Sequence, residues 1–65
     1  MLTPGTILTE DIDFEKARNQ GCNIEARQMN QRVFGPGKIV AYSTNSITIN
    51  EKPLLRSVNQ FIVVE

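Results

Sequence analysis

The stretch Val33 to Ile49 constrains the fold more than any other part of the chain. Val40, Tyr42, Ile47 and Ile49 alternate with Ala41, Ser43, Ser46 and Thr48, the period of two shown by strands buried on one face. With Thr44-Asn45 as a tight loop, Ser43 faces Ser46, Tyr42 faces Ile47, Ala41 faces Thr48 and Val40 faces Ile49. Each cross-strand pair then joins like with like, which is the test of a register. Asn45 suits such a turn because asparagine accepts positive φ better than most residues. A loop one residue longer gives the competing register. The face Val40, Tyr42, Ile47 and Ile49 is the predicted core.

Upstream, Gly35-Pro36-Gly37 reads as a second turn. Proline has no N–H and a fixed φ, so it does not belong inside a central strand. Arg32-Val33-Phe34 is therefore predicted to end before the glycines and Lys38-Ile39-Val40 to begin after them. A phosphate-binding loop is the other reading of two glycines and a lysine. Such a loop should run on into a helix with Ser or Thr after the lysine. Here Ile39-Val40 follow Lys38, which excludes it.

The chain is 65 residues long with 40% apolar residues. That makes one small domain near the lower limit for folding alone, and apolar enough to fold rather than remain disordered. Cys22 is the lone cysteine and histidine is absent, so neither an internal disulfide nor a Cys/His zinc site is available as a staple. Oligomerisation is the remaining way to support so small a core. Seven acidic and seven basic side chains cancel, but unevenly. Before Gln31, Glu10, Asp11, Asp13, Glu15 and Glu25 outnumber Lys16, Arg18 and Arg27. From Gln31 on, Arg32, Lys38, Lys52 and Arg56 outnumber Glu51 and Glu65. Neither half has the basic footprint of a strong nucleic-acid binder. The chain lacks an apolar run of membrane-spanning length and the pattern of a signal peptide, so a soluble, cytoplasmic protein is expected.

In order along the chain, Pro4-Gly5 predicts a type II turn and Thr6 to Thr9 a short strand. Glu10 to Gln20 predicts a helix of one or two turns, acidic at its start, capped by Thr9 or Asp13 and stopped by Gly21. Its four carboxylates lack the glycine and the final glutamate of a calcium loop and read as a solvated helix start. Ile24 to Asn30 is rich in good helix formers and predicts a short helix, although Cys22, Ile24 and Ala26 also alternate as in a strand. Cys22 has no cationic neighbour in sequence and reads as a quiet thiol. Asn50 to Pro53 is turn chemistry. Leu54-Leu55 is expected to fill the core from a loop or single helical turn. Gln60 to Val64 predicts a strand that is covered on both faces or paired centrally.

Assembled, these elements resemble an SH3-like small barrel: mainly β, five strands, with a helical excursion between the first and second. In that family the first strand pairs with the last, a long loop follows the first strand and a helical turn precedes the fifth. Thr6 to Thr9, Glu10 to Asn30, Leu54 to Val58 and Gln60 to Val64 occupy those positions. Val33-Phe34-Gly35-x-Gly37-x-Ile39 also looks like the small barrels appended to some DNA helicases and polymerase-binding factors, and like KOW modules. Peptide-binding SH3 domains carry a row of aromatics for proline-rich ligands. This chain has Phe14, Phe34, Tyr42 and Phe61, most of them needed for the core.

Nothing in the sequence names a reaction. There is no histidine, reactive-cysteine setting, catalytic serine motif or nucleotide loop, so an enzyme is not expected, and no cofactor or metal is implied. The leading expectation is a non-catalytic binding module whose partner is a protein, attached to nucleic-acid machinery as the resemblance implies, and docked by strand addition at an open sheet edge. The alternative is a KOW-like module that touches nucleic acid directly through Arg32, Lys38, Tyr42, Lys52 and Arg56. A homo-oligomer binding a small molecule between subunits is the third reading.

Overall fold

A computed structural model of the protein describes residues 2–64; Met1 and Glu65 of the sequence reading lie outside them. Six strands and one helix follow in the order β1 (Ile7–Leu8), α1 (Asp11–Gln20), β2 (Asn23–Gln28), β3 (Gln31–Tyr42), β4 (Ser46–Ile49), β5 (Lys52–Leu55) and β6 (Gln60–Val63). They form one antiparallel sheet in the order β1-β6-β2-β3-β4-β5. The expected class is present: mainly β, with the helix between the first two strands and the first strand paired to the last. Among the described residues the strands number six rather than five, and the sheet does not close.

α1 begins where Asp13 accepts hydrogen bonds from the backbone N–H of Thr9 (3.1 Å) and of Glu10 (3.0 Å). The N-cap is thus Glu10, rather than Thr9 or Asp13, and Asp13 serves it from the third helical position. These bonds hold the Asp13 carboxyl below its ordinary value, the one from Glu10 most strongly. The helix runs ten residues, longer than its weak apolar stripe predicts. Phe14 and Ala17 are buried, whereas Ile12 faces outward. Packing supplies what the pattern lacks: the Phe14 ring meets Phe61 edge-on at 5.6 Å and Tyr42 at 6.4 Å.

Residues 23–28 form a strand, not the short helix favoured by propensity. β2 is hydrogen-bonded on both sides, to β3 and to β6. A helix there would strip both neighbours of their partners, and unpaired buried backbone outweighs a few tenths of a kcal/mol of propensity. Ile24 and Ala26 point into the core at 0% exposure, as the minority alternation indicated. Leu54-Leu55 likewise belongs to strand β5 instead of a loop or helical turn. Leu54 is buried opposite Ile47, and Leu55 faces out opposite Ser46.

Gly35-Pro36-Gly37 is not a turn. It lies inside β3, which continues from Gln31 to Tyr42. Twelve residues of straight strand would span about 40 Å, yet the molecule measures 26 × 21 × 20 Å, so β3 must bend. It bends through bulges. Gly35 and Pro36 together oppose the single residue Glu25 between the pairs Ile24↔Gly37 and Ala26↔Phe34, and Val33 is extra between Ala26↔Phe34 and Arg27↔Arg32. Pro36 is tolerated there because a bulged residue owes no ladder bond. Gly35 has φ +99°, and a Cβ on it would stand 2.8 Å from the Ile24 carbonyl oxygen. On Gly37 it would stand 2.8 Å from Ile49 Cγ2. Gly37 and Lys38 still pair with β2, and from Ile39 on β3 pairs with β4.

The β3–β4 hairpin keeps the expected pairs Tyr42↔Ile47 and Ala41↔Thr48 and the two-residue loop, but Ile49 sits opposite Ile39. Val40 is one more bulge residue, so Ile39 is buried at 4% and Val40 is 56% exposed. The core face is therefore Ile39, Tyr42, Ile47 and Ile49. Asn45 does not use positive φ. The Ser43 hydroxyl closes the loop by accepting from the N–H groups of Asn45 and Ser46. β6 is central, between β1 and β2, as its apolar run indicated, and Phe61, Ile62 and Val63 are all buried.

Candidate functional site

Arg56 lies in the turn after β5 and is the best anchored of the four cations among the candidate nucleic-acid contacts. Its Nη1 donates to Asp11 Oδ1 (2.6 Å) and to the Ser43 carbonyl (2.7 Å), and its Nη2 donates to the Thr9 carbonyl (3.2 Å). The guanidinium lies over the Phe14 ring, with Cζ 4.7 Å from its centroid. These contacts tie the start of α1 to the β3–β4 loop. Tyr42 packs partly buried against the other side of the same cluster, and the Arg18 guanidinium lies 5.5 Å from its ring. Lys38 donates from Nζ to the Gly21 carbonyl (3.0 Å), where the helix C-terminus leaves acceptors unpaired. Lys52 is exposed at the start of β5.

Arg32 keeps different company. Its Nε is 3.9 Å from Glu25 Oε1, and Arg27 Nε is 2.5 Å from Glu25 Oε2. Register sets Arg27 directly opposite Arg32. The structure thus gathers Arg56 and Tyr42 around Phe14, and groups Arg32 with Arg27 and Glu25. Arg27 was missed because residues 24–30 were read as helix, which hides cross-strand neighbours. The near-palindrome Arg27-Gln28-Met29-Asn30-Gln31-Arg32 around a turn was the signal for a hairpin.

A cleft of about 310 Å³ opens between β1 and the turn before β6, with Leu8, Phe14 and Phe61 as apolar lining and Arg56, Asn59 and Gln60 as polar lining. It lies at the small end of ligand-pocket sizes. Cys22 is free and buried. Among the described residues no three His, Cys, Asp or Glu side chains are grouped to hold a metal ion, and no helix is long and apolar enough to cross a membrane.

The outer surface of β3, β4 and β5 has a different character. Ile47, Ile49 and Leu54 point inward, so alternation turns Ser46, Thr48, Pro53 and Leu55 outward, with Ala41 beside Thr48. No charged side chain lies among these residues and the neighbouring Val40. Val40 and Leu55 are each 56% exposed. The adjoining edge is poor in donors. The Arg56 N–H donates to the Asn45 carbonyl (2.8 Å) one step beyond the pair Leu55↔Ser46. Antiparallel bonding alternates, so Leu54 and Lys52 bond to β4, while Pro53 and Leu55 face the open edge. Pro53 has no N–H to offer there.

Compared with protein-family models, curated proteins and solved structures, the chain matches none of them.

Proposed function

We propose that the protein is a non-catalytic binding module whose partner is another protein, docked against the outer face of β3–β4–β5. The observation that supports this reading is the uncharged surface around Val40, Ala41, Thr48, Pro53 and Leu55, two of whose apolar side chains are more than half exposed. Face docking replaces strand addition here, because an edge that lacks the Pro53 N–H is a poor template for a further strand. Leu55→Glu changes an exposed side chain and should leave the melt unchanged. A partner isolated by affinity purification, then purified and remixed, is expected to bind the wild-type chain and to lose at least tenfold in affinity for the Leu55→Glu and Val40→Glu variants. Equal binding by both variants would refute this face as the contact.

A further inference from the structure

The tip of the β2–β3 hairpin carries features the sheet does not need. Its residues Arg27-Gln28-Met29-Asn30-Gln31-Arg32 read nearly the same in both directions. The register folds that symmetry in half, with Arg27 opposite Arg32 and Gln28 opposite Gln31. Directly opposite residues share a face and successive residues alternate, so the ribbon shows two guanidinium groups on one side and two amides on the other. Met29 and Asn30 make the turn, at φ 52° and 65°. Asparagine visits this region readily and methionine does so at a cost. Met29 is nonetheless 96% exposed and gains no packing within the chain in return. None of the six residues is acidic. The neighbouring Glu25 is 8% exposed and faces both arginines. One carboxylate against two guanidinium groups leaves the tip positive.

Arginine, glutamine and asparagine are the side chains that match phosphates and base edges. A two-stranded ribbon is one of the shapes that the major groove of B-form DNA admits, whereas the deep, narrow major groove of A-form RNA does not. A bare methionine at the leading end offers apolar contact to thymine methyl groups, which line the major groove. A protein socket would match Met29 and the arginines but would leave the Gln31 amide without a purpose, since Gln28 already donates to Asn59. We propose that this hairpin tip is a contact for duplex DNA, entering the major groove with Met29-Asn30 leading. Arg27 and Arg32 face phosphates and guanine edges, and Gln31 faces adenine edges. Gln28 donates to Asn59 Oδ1 at 3.0 Å and tethers the ribbon to the turn before β6. The contact uses none of the residues of the uncharged β3–β4–β5 face and stands independently of it.

The test is fluorescence anisotropy with a labelled mixed-sequence DNA duplex of about 20 base pairs, at about 50 mM salt, beside an RNA duplex of the same sequence. Saturable binding to the DNA duplex is expected, at least fivefold tighter than to RNA, with a log–log salt slope of about −1.8 for two phosphate contacts. Arg32 is 60% exposed on its side chain and only loosely paired with Glu25, so Arg32→Ala should fold normally and weaken binding at least fivefold. Met29→Gly, which suits the positive φ, should raise the melt and still weaken binding. Lys16→Ala, which removes an exposed charge on α1, should leave binding unchanged. Absence of saturable binding, equal affinity for the RNA duplex, or a larger loss with Lys16→Ala than with Arg32→Ala would each overturn the proposal. So would a purified protein partner that Arg32→Ala and Met29→Gly release while the wild-type chain ignores DNA.

Discussion

Removing the Arg56 side chain should cost the fold about 3 kcal/mol. The side chain is only 17% exposed, whereas its partner Asp11 is 69% exposed. The ion pair itself therefore contributes little, about 0.5 kcal/mol. The two hydrogen bonds to the Ser43 and Thr9 carbonyls add about 1 kcal/mol each. The guanidinium over Phe14, with the buried stem behind it, adds about 0.5–1 kcal/mol. A chain of this length has roughly 3–10 kcal/mol of stability in total, so Arg56→Ala should remove a third or more of it and lower the Tm by roughly 12–24 °C. Urea titration followed by far-UV circular dichroism measures the loss, since the chain has no tryptophan and a single tyrosine. Asp11→Ala, which removes only the exposed carboxylate, should cost at most about 1 kcal/mol. An Arg56→Ala loss below about 1 kcal/mol at unchanged m would refute this account of the anchor. If the residue instead served a ligand phosphate, the variant would lose binding while keeping its melt.

Three further outcomes follow from the packing. Ile47→Asp should abolish the cooperative melt because it buries an unpaired charge, whereas Val40→Asp should stay within about 0.5 kcal/mol of wild type; the reverse order would mean that the Val40 bulge is wrong. Gly35→Ala should cost about 1–3 kcal/mol, from its positive φ and the Ile24 carbonyl 2.8 Å from the new Cβ, and a neutral result by urea titration would remove the bend from β3. Asp13→Asn should cost about 1 kcal/mol at neutral pH. Because the folded pKa of Asp13 is lowered, its contribution is complete above the ordinary value of 3.8 and fades as pH falls through the folded value below that. The gap between the two proteins should therefore narrow under acid, and a gap that stays unchanged as pH falls well below 3.8 would show that the carboxylate is not the source.

What was legible in the sequence was whatever local pattern decides alone. The pairs Tyr42↔Ile47 and Ala41↔Thr48, the helix end at Gly21 and the interior β6 all follow from alternation or composition. What was not legible depends on partners far away. Residues 23–28 look helical until β3 and β6 claim them from either side. Gly35-Pro36-Gly37 looks like a turn because the sequence does not show that a bent strand is needed to serve two neighbours. A further bulge, at Val40 itself, takes that residue out of the core and puts Ile39 in its place. The basic residues were visible, but their roles were not. Arg56 braces the helix start, Lys38 caps its end, and Arg27 became a neighbour of Arg32 only once β2 was a strand.

The sheet order also says something about how the chain comes into being. β6 lies inside the sheet, between the edge strand β1 and β2, and its residues are the last of the six strands to be synthesised. While the chain is still emerging from the ribosome, β1 and β2 each lack the neighbour that completes them, and Phe14 lacks the Phe61 ring. Without β6, the pairings left to the chain are the local hairpins of β2–β3, β3–β4 and β4–β5, and isolated hairpins are marginal in water. At roughly 5–20 residues per second, translation delivers residues 60–63 within a second of the preceding turn. Insertion of that one segment between β1 and β2 completes both pairings, and a chain truncated before Phe61 is expected to stay open and protease-sensitive.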